Sequence, residues 1–116
     1  TVAVLAFTLV SGGIVAASAD AIAANFGKLA LAAFALHVLG FGVGYVITKV
    51  LRYPESVART VSIEVGMQNG GMAASLAREH FAAMPLAAAA GVFSGVLQNI
   101  IGGLLASWWK RRPPSA

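Results

Sequence analysis

The 116 residues contain no cysteine, and only 10% of them are charged. Without cysteine, disulfides, thiolate metal sites and cysteine nucleophiles are excluded, and nothing about the compartment follows. The scarcity of charge excludes an ordinary soluble domain, in which about a quarter of residues are charged. No Walker loop is present, so direct ATP coupling is not encoded, and no combination of His37, Glu64 and His80 has recognised metal-ligand spacing. No initiator methionine and no signal-peptide flank precede the apolar run that opens at Thr1, so the chain reads as a fragment. A net charge of +4 raises nucleic acid as a partner, but the basic residues sit at the ends of apolar stretches and form no stripe interleaved with aromatics. What remains is hydrophobic: 59% of the residues, at a mean hydropathy of +0.82. The partner these numbers imply is the lipid bilayer.

At about 20 residues per spanning helix, the length allows three or four spans. The pattern predicts spans near 1–17, 29–51, 56–81 and 84–109, with 110–116 as a tail. The first is short for a span. Residues 18–28 read as a connection, with Asp20, Asn25 and Gly27 as breakers. Leu29 to Leu51 is long enough to cross, at roughly 35 Å as a helix. Lys49, Arg52, Tyr53 and Pro54 end it with cations, an interfacial aromatic and a proline that blocks continuation. Pro85 suits the first turn of the last helix. Trp108 and Trp109 followed by Lys110, Arg111 and Arg112 mark its exit into water. Six of the eight lysines and arginines fall in the connection after the second span or at the C-terminus, leaving Lys28 and Arg78 for the other side. The excess places the six in the cytoplasm.

The third segment carries the chemistry. Ser62-Ile63-Glu64-Val65-Gly66-Met67-Gln68-Asn69-Gly70-Gly71 puts an acid, two amides and three glycines where an uninterrupted apolar helix is expected. A carboxylate in hydrocarbon is costly and marks a functional site by default. Gly66, Gly70 and Gly71 each lower helix propensity by about 1 kcal/mol relative to alanine, which permits a break near 65–71. A break frees carbonyls near Val65 and Met67 that attract a cation, and N–H groups around Asn69 to Gly71 that attract an anion. The plainer alternatives are, for Glu64, a carboxylate that caps or salt-bridges at a helix end and, for the break, a straight helix with a few tolerated glycines. His37 inside the second span reads as a hydrogen-bonded structural residue ahead of a proton relay. Gly40, Gly42 and Gly44, like Gly91 and Gly95, offer small faces for helix packing. Arg78-Glu79-His80 reads as a solvated helix end.

Glu-Val-Gly-Met-Gln-Asn followed by two small residues, with Arg59-Thr60 shortly before, resembles the signature of the bile acid:sodium symporter family, in particular its bacterial members related to the ileal bile acid transporter. Leu36-His37, His80-Phe81-Ala82-Ala83 and the polar pair before Leu104-Leu105-Ala106 extend the resemblance along the chain. It implies an all-α integral membrane fold: the C-terminal part, roughly helices seven to ten, of a ten-helix transporter of two inverted repeats, with a broken, crossing penultimate helix. The first repeat of the same protein would then be its partner.

The resemblance also assigns residues. Glu64, the carbonyls of Val65 and Met67, and the Gln68 side chain are similar to sodium ligands. Asn69, Gln98 and Asn99 match positions facing the substrate, although Gln98 stands where the family often has histidine and Gly70 where serine is commoner. The function implied is sodium-coupled symport of an organic anion, bile acid-like or a small carboxylate, by alternating access. It needs no cofactor beyond sodium as coupling ion, and it belongs in a bacterial inner membrane with a cytoplasmic C-terminus. Two other readings stay open: a proton-coupled transporter or exporter titrating at Glu64, and a non-transporting scaffold of packed helices. An enzyme is not expected, since no nucleophile–base pair assembles from spacing.

Overall fold

The computed structural model describes residues 2–113, apart from the side chains at positions 7 and 11. Thr1 and positions 114–116 of the expected tail lie outside the described residues. The described chain is helical, with no strand among its residues. Five helices follow one another: α1 (Val2–Ala17), α2 (Ala19–Val50), α3 (Glu55–Gly66), α4 (Gly70–His80) and α5 (Pro85–Lys110). Two of them, α2 and α5, are long and apolar enough to cross a membrane.

The connection expected at 18–28 is not there. Only Ser18 separates α1 from α2, and even there the helical bonds run through, with Ser18 N–H donating to the Ile14 carbonyl at 3.1 Å and Ile22 N–H to the Ser18 carbonyl at 2.9 Å. Each expected breaker is absorbed. Asp20 falls in the first turn of α2 and is exposed. Asn25 turns its amide inward and donates to the Ala21 carbonyl one turn back, at 3.0 Å. Gly27 costs about 1 kcal/mol, which the surrounding alanines offset. The resulting 32-residue helix is roughly 48 Å long. That exceeds the ~30 Å hydrocarbon core.

The end of α2 is sharp. Tyr53 N–H reaches the Thr48 carbonyl and Arg52 N–H the Lys49 carbonyl, at 3.1 and 2.9 Å, with Arg52 in the left-handed region at φ 63°. This is the paired closure that usually places glycine at the left-handed position. Pro54 then opens α3 as its N-cap.

The chain forms two compact units, Thr1–Ala33 with Asn69–Val96, and Phe34–Gln68 with Leu97–Ala116. In the first, Ile14 of α1 packs with Ala74 and Ala77 of α4 and with Ala88 and Val92 of α5. Phe26 meets Phe93 edge-on, with ring centroids 5.6 Å apart. The α4–α5 contact is backbone against backbone: a Cβ at Gly70 would lie 2.5 Å from the Gly91 carbonyl, and one at Gly91 would lie 2.8 Å from Ala74 N. Without side chains at these positions, the helices approach closely.

In the second unit α2 and α3 meet in the same way. A Cβ at Gly40 would sit 3.1 Å from the Val65 carbonyl, and one at Gly44 3.0 Å from the Val61 carbonyl, whereas Gly42 faces open space. The packing face of α2 is therefore the four-residue pair Gly40 and Gly44. On α3 the facing stripe is Ala58, Ser62 and Gly66, spaced four apart and all buried. Ser62 Oγ donates to the Phe41 carbonyl at 2.6 Å, and the Phe41 ring covers Gly66 so closely that no Cβ fits there.

Candidate functional site

The interruption in the third segment is real and short. Helix α3 stops at Gly66, α4 starts at Gly70, and Met67, Gln68 and Asn69 between them are not helical. Met67 is extended, at φ −90° and ψ 118°. No glycine in the described chain has a positive φ. The glycines flanking the break therefore do not supply a left-handed turn; Gly66 accommodates the Phe41 ring, and Gly70 accommodates the α5 backbone.

Within the second unit, side chains from two other helices hold Gly66 and Gln68 at the break. Gln98 on α5, only 7% exposed, uses both ends of its amide on one residue. Its Oε1 accepts from Gln68 N–H at 2.7 Å, and its Nε2 donates to the Gln68 carbonyl at 2.7 Å. On α2, His37 is fully buried, and its Nδ1 lies 2.9 Å from the Gly66 carbonyl. That carbonyl can only accept, so Nδ1 carries the hydrogen. The structural reading of His37 has this bond as its content.

The bonding leaves a specific set of oxygens. Met67 N–H closes the last helical bond of α3, to the Ile63 carbonyl at 2.8 Å. In a continuing helix Gln68 N–H would go to the Glu64 carbonyl, but here it goes to Gln98. Among the described residues, the carbonyls of Val65 and Met67 meet no donor. Both residues are partly open, at 44% and 37% exposure. The side chains of Glu64 and Gln68 are exposed as well, off the buried stripe of α3. A carboxylate, two carbonyls and a side-chain amide thus belong to five consecutive residues. These are hard oxygen donors of the kind that suit hard cations.

The residues expected on the substrate side are placed differently from one another. Asn69 belongs to the first unit and caps α4, its Oδ1 accepting from Met72 N–H at 2.9 Å, which leaves its side-chain N–H groups for other partners. Asn99 is exposed on α5. Gln98 is tied to the break, keeping only one amide hydrogen and one lone pair beyond its bonds to Gln68.

A second cluster went unread in the sequence. In the second unit, the Glu55 carboxylate accepts from Arg59 Nε at 2.8 Å and from Tyr45 OH at 3.0 Å, and Lys49 Nζ stands 3.3 Å away. Arg59 Nη1 donates to the carbonyls of Trp109, in the last turn of α5, and of Arg112, two residues past its end, at 3.2 and 2.8 Å. Tyr45 stacks on Trp109 at 6.0 Å, and the Arg59 guanidinium lies 5.5 Å from the same indole. Hydrogen bonding from Arg59, with help from Tyr45 and Lys49 and against partial desolvation, holds the Glu55 carboxyl below the usual carboxylate range. The four-residue spacing of Glu55 and Arg59 was the available signal.

Comparison with known proteins bears on what such a break is for. No family model and no solved structure matches the chain. Over 114 residues it is 36% identical to "Probable sodium/metabolite cotransporter BASS1, chloroplastic" of Oryza sativa subsp. japonica, covering 98% of this chain and 28% of that protein. The protein of the same name from Arabidopsis thaliana is 36% identical over 113 residues, 97% of this chain and 28% of its own length. "Uncharacterized sodium-dependent transporter YocS" of Bacillus subtilis (strain 168) is 36% identical over 118 residues, 95% of this chain and 36% of that protein. The chain thus spans between 28% and 36% of the length of these relatives. They are transporters and not enzymes. Matched along nearly all of its residues by sodium/metabolite cotransporters and a bacterial sodium-dependent transporter, the chain belongs to the sodium symporter family that its Glu64-to-Gly71 signature resembles, as the part of such a membrane protein that these matches cover.

Proposed function

We propose that the chain supplies the sodium-binding broken helix of a symporter that carries an organic anion by alternating access. The observation behind this is the interrupted helix with Glu64 on its last turn and the Val65 and Met67 carbonyls left without donors. An ionised carboxylate within a span needs a counter-charge, and carbonyls at a helix end carry partial negative charge, so one bound cation meets both needs. The names of the relatives, a sodium/metabolite cotransporter and a sodium-dependent transporter, support sodium as the coupling ion. The Gln68 side chain adds a neutral oxygen four residues from Glu64.

The finer parts rest on the sequence resemblance. These are the ten-helix inverted-repeat architecture with its crossing broken helix, the position of this chain at the C-terminal end, and the first repeat as its partner. The substrate is an organic anion, bile acid-like or a small carboxylate, with Asn69, Gln98 and Asn99 on its side. The setting is a bacterial inner membrane.

The decisive variants are Glu64→Ala and Gln68→Ala in the transporter that carries this chain. Each is expected to abolish sodium-dependent uptake of the anion while insertion into the membrane is retained, since removing a charge from a span favours insertion. Wild-type sodium stimulation in Glu64→Ala would end this reading.

A further inference from the structure

We propose that Gln98 is a positioning residue for the coupling ion, acting by holding the broken backbone in the conformation that keeps the Val65 carbonyl available. The proposal rests on the sodium-coupled reading above and adds the residue that sets the site's shape.

The argument starts from how one carboxamide can meet one residue twice. In a helix the N–H and C=O of a residue point in opposite directions along the axis, and a single amide cannot reach both. In an extended chain they point to the same side, and a neighbour exchanges two bonds with that one residue, as in an antiparallel pair. Gln98 does this with Gln68, at 2.7 Å for each bond, next to the extended Met67. The side chain therefore recognises extended backbone at Gln68 and opposes its winding into α3.

Winding is the relevant competitor. If α3 grew by two residues, Gln68 N–H would bond the Glu64 carbonyl and then Asn69 N–H the Val65 carbonyl, covering an oxygen proposed for sodium. Gln98 takes the first of these donors away. The brace has a counterpart on the other side of Met67, where His37 Nδ1 occupies the Gly66 carbonyl at 2.9 Å. That carbonyl is removed from the set, and the end of α3 is fixed against α2.

Position 98 thus needs an adjacent donor and acceptor at amide geometry, on a side chain of glutamine length. Leucine offers neither. Ionised glutamate accepts from Gln68 N–H but has no donor for its carbonyl, whereas protonated glutamate has both. The titratable and charged groups on the elements that hold the break are Asp20, Lys28, His37, Tyr45 and Lys49 on α2 and Glu55, Arg59 and Glu64 on α3. All are present in the unaltered protein, so any pH profile is taken as the ratio of Gln98→Glu to wild type.

The experiment uses the full transporter in proteoliposomes, with sodium as the varied ligand. Gln98→Leu should raise the sodium concentration for half-maximal uptake about tenfold or more, from two lost bonds that leave Gln68 unpaired. Gln98→Glu should show the same defect at neutral pH and recover on the acid side, which a packing role would not produce. Unchanged sodium dependence in Gln98→Leu, whatever its effect on substrate binding, would overturn the proposal. Tighter sodium binding by Gln98→Glu at neutral pH would also overturn it, since position 98 would then face the ion directly. Hydrogen–deuterium exchange at Gln68 separates failure of the brace from failure of the sodium reading. Exchange should be faster in Gln98→Leu than in wild type without sodium, and unchanged exchange refutes the brace. Wild-type uptake that ignores sodium refutes the underlying reading whatever the exchange shows.

Discussion

At the scale of single residues, the glycines separate into those that touch backbone and those that touch nothing. A Cβ at Gly70 would meet the Gly91 carbonyl at 2.5 Å, and backbone atoms on both sides leave nothing flexible to move aside. Gly70→Ala should therefore destabilise the protein by about 1–3 kcal/mol, the usual cost of overpacking. Gly42 meets nothing within 4 Å, and Gly42→Ala should stabilise by about 0.4–1 kcal/mol through the unfolded chain's lost freedom. Thermal unfolding in detergent compares the two, and equal effects would show that the close α4–α5 approach is not a constraint. Hydrophobic patterning made the small faces legible, but not which of three alternate glycines would be used. Only the four-residue repeat keeps Gly40 and Gly44 on one side of a helix, and Gly42 falls on another. The role of Gln98 was hidden for a different reason. A buried amide that bonds a backbone 30 residues away has no local signature, and at the level of sequence it reads as any polar residue in an apolar helix.

At the scale of the elements, the broken helix and the two long helices were legible because composition alone marks them: an acid, two amides and three glycines inside an apolar segment, and long runs closed by aromatics and cations. The continuity of α1 into α2 was not, because such residues are tolerated in a helix where their polar groups are met or reach water: Asn25 bonds the Ala21 carbonyl one turn back, and Asp20 is exposed in the first turn of α2. The start of α3 carries a pH dependence. Glu55 lies ahead of the broken segment with its pKa lowered from 4.5, so its contribution to stability is fully present above that value. The contribution is lost as pH falls through the lower folded-state value. Glu55→Gln should therefore be less stable than wild type at neutral pH, and the difference should vanish on acidification below the usual carboxylate range. Melting curves of the two proteins across that range check the sign; a gap that widens in acid would be inconsistent with the Arg59 contact.

At the scale of the whole molecule, orientation follows from where the cations gather. Arg59 bonds the Trp109 and Arg112 carbonyls directly, so the start of α3 and the end of α5 lie together in the second unit, with Lys49 beside them. The excess of positive charge there predicts a cytoplasmic location for this end. A cysteine replacing Lys110 should resist an impermeant thiol reagent in intact cells and react once the membrane is opened. Prompt labelling in intact cells would reverse the orientation.

Trp108 and Trp109 are the chain's only two tryptophans, and both belong to this cluster, Trp109 with Tyr45 and Arg59 and Trp108 with Arg112 at 5.1 Å. Tryptophan emission from this stretch of the protein is accordingly a gauge of one end only. It should respond when Arg59 or Tyr45 is altered and stay silent when the Gln98–Gln68 bonds open. An optical assay of ion binding at the break will need an indole placed there on purpose.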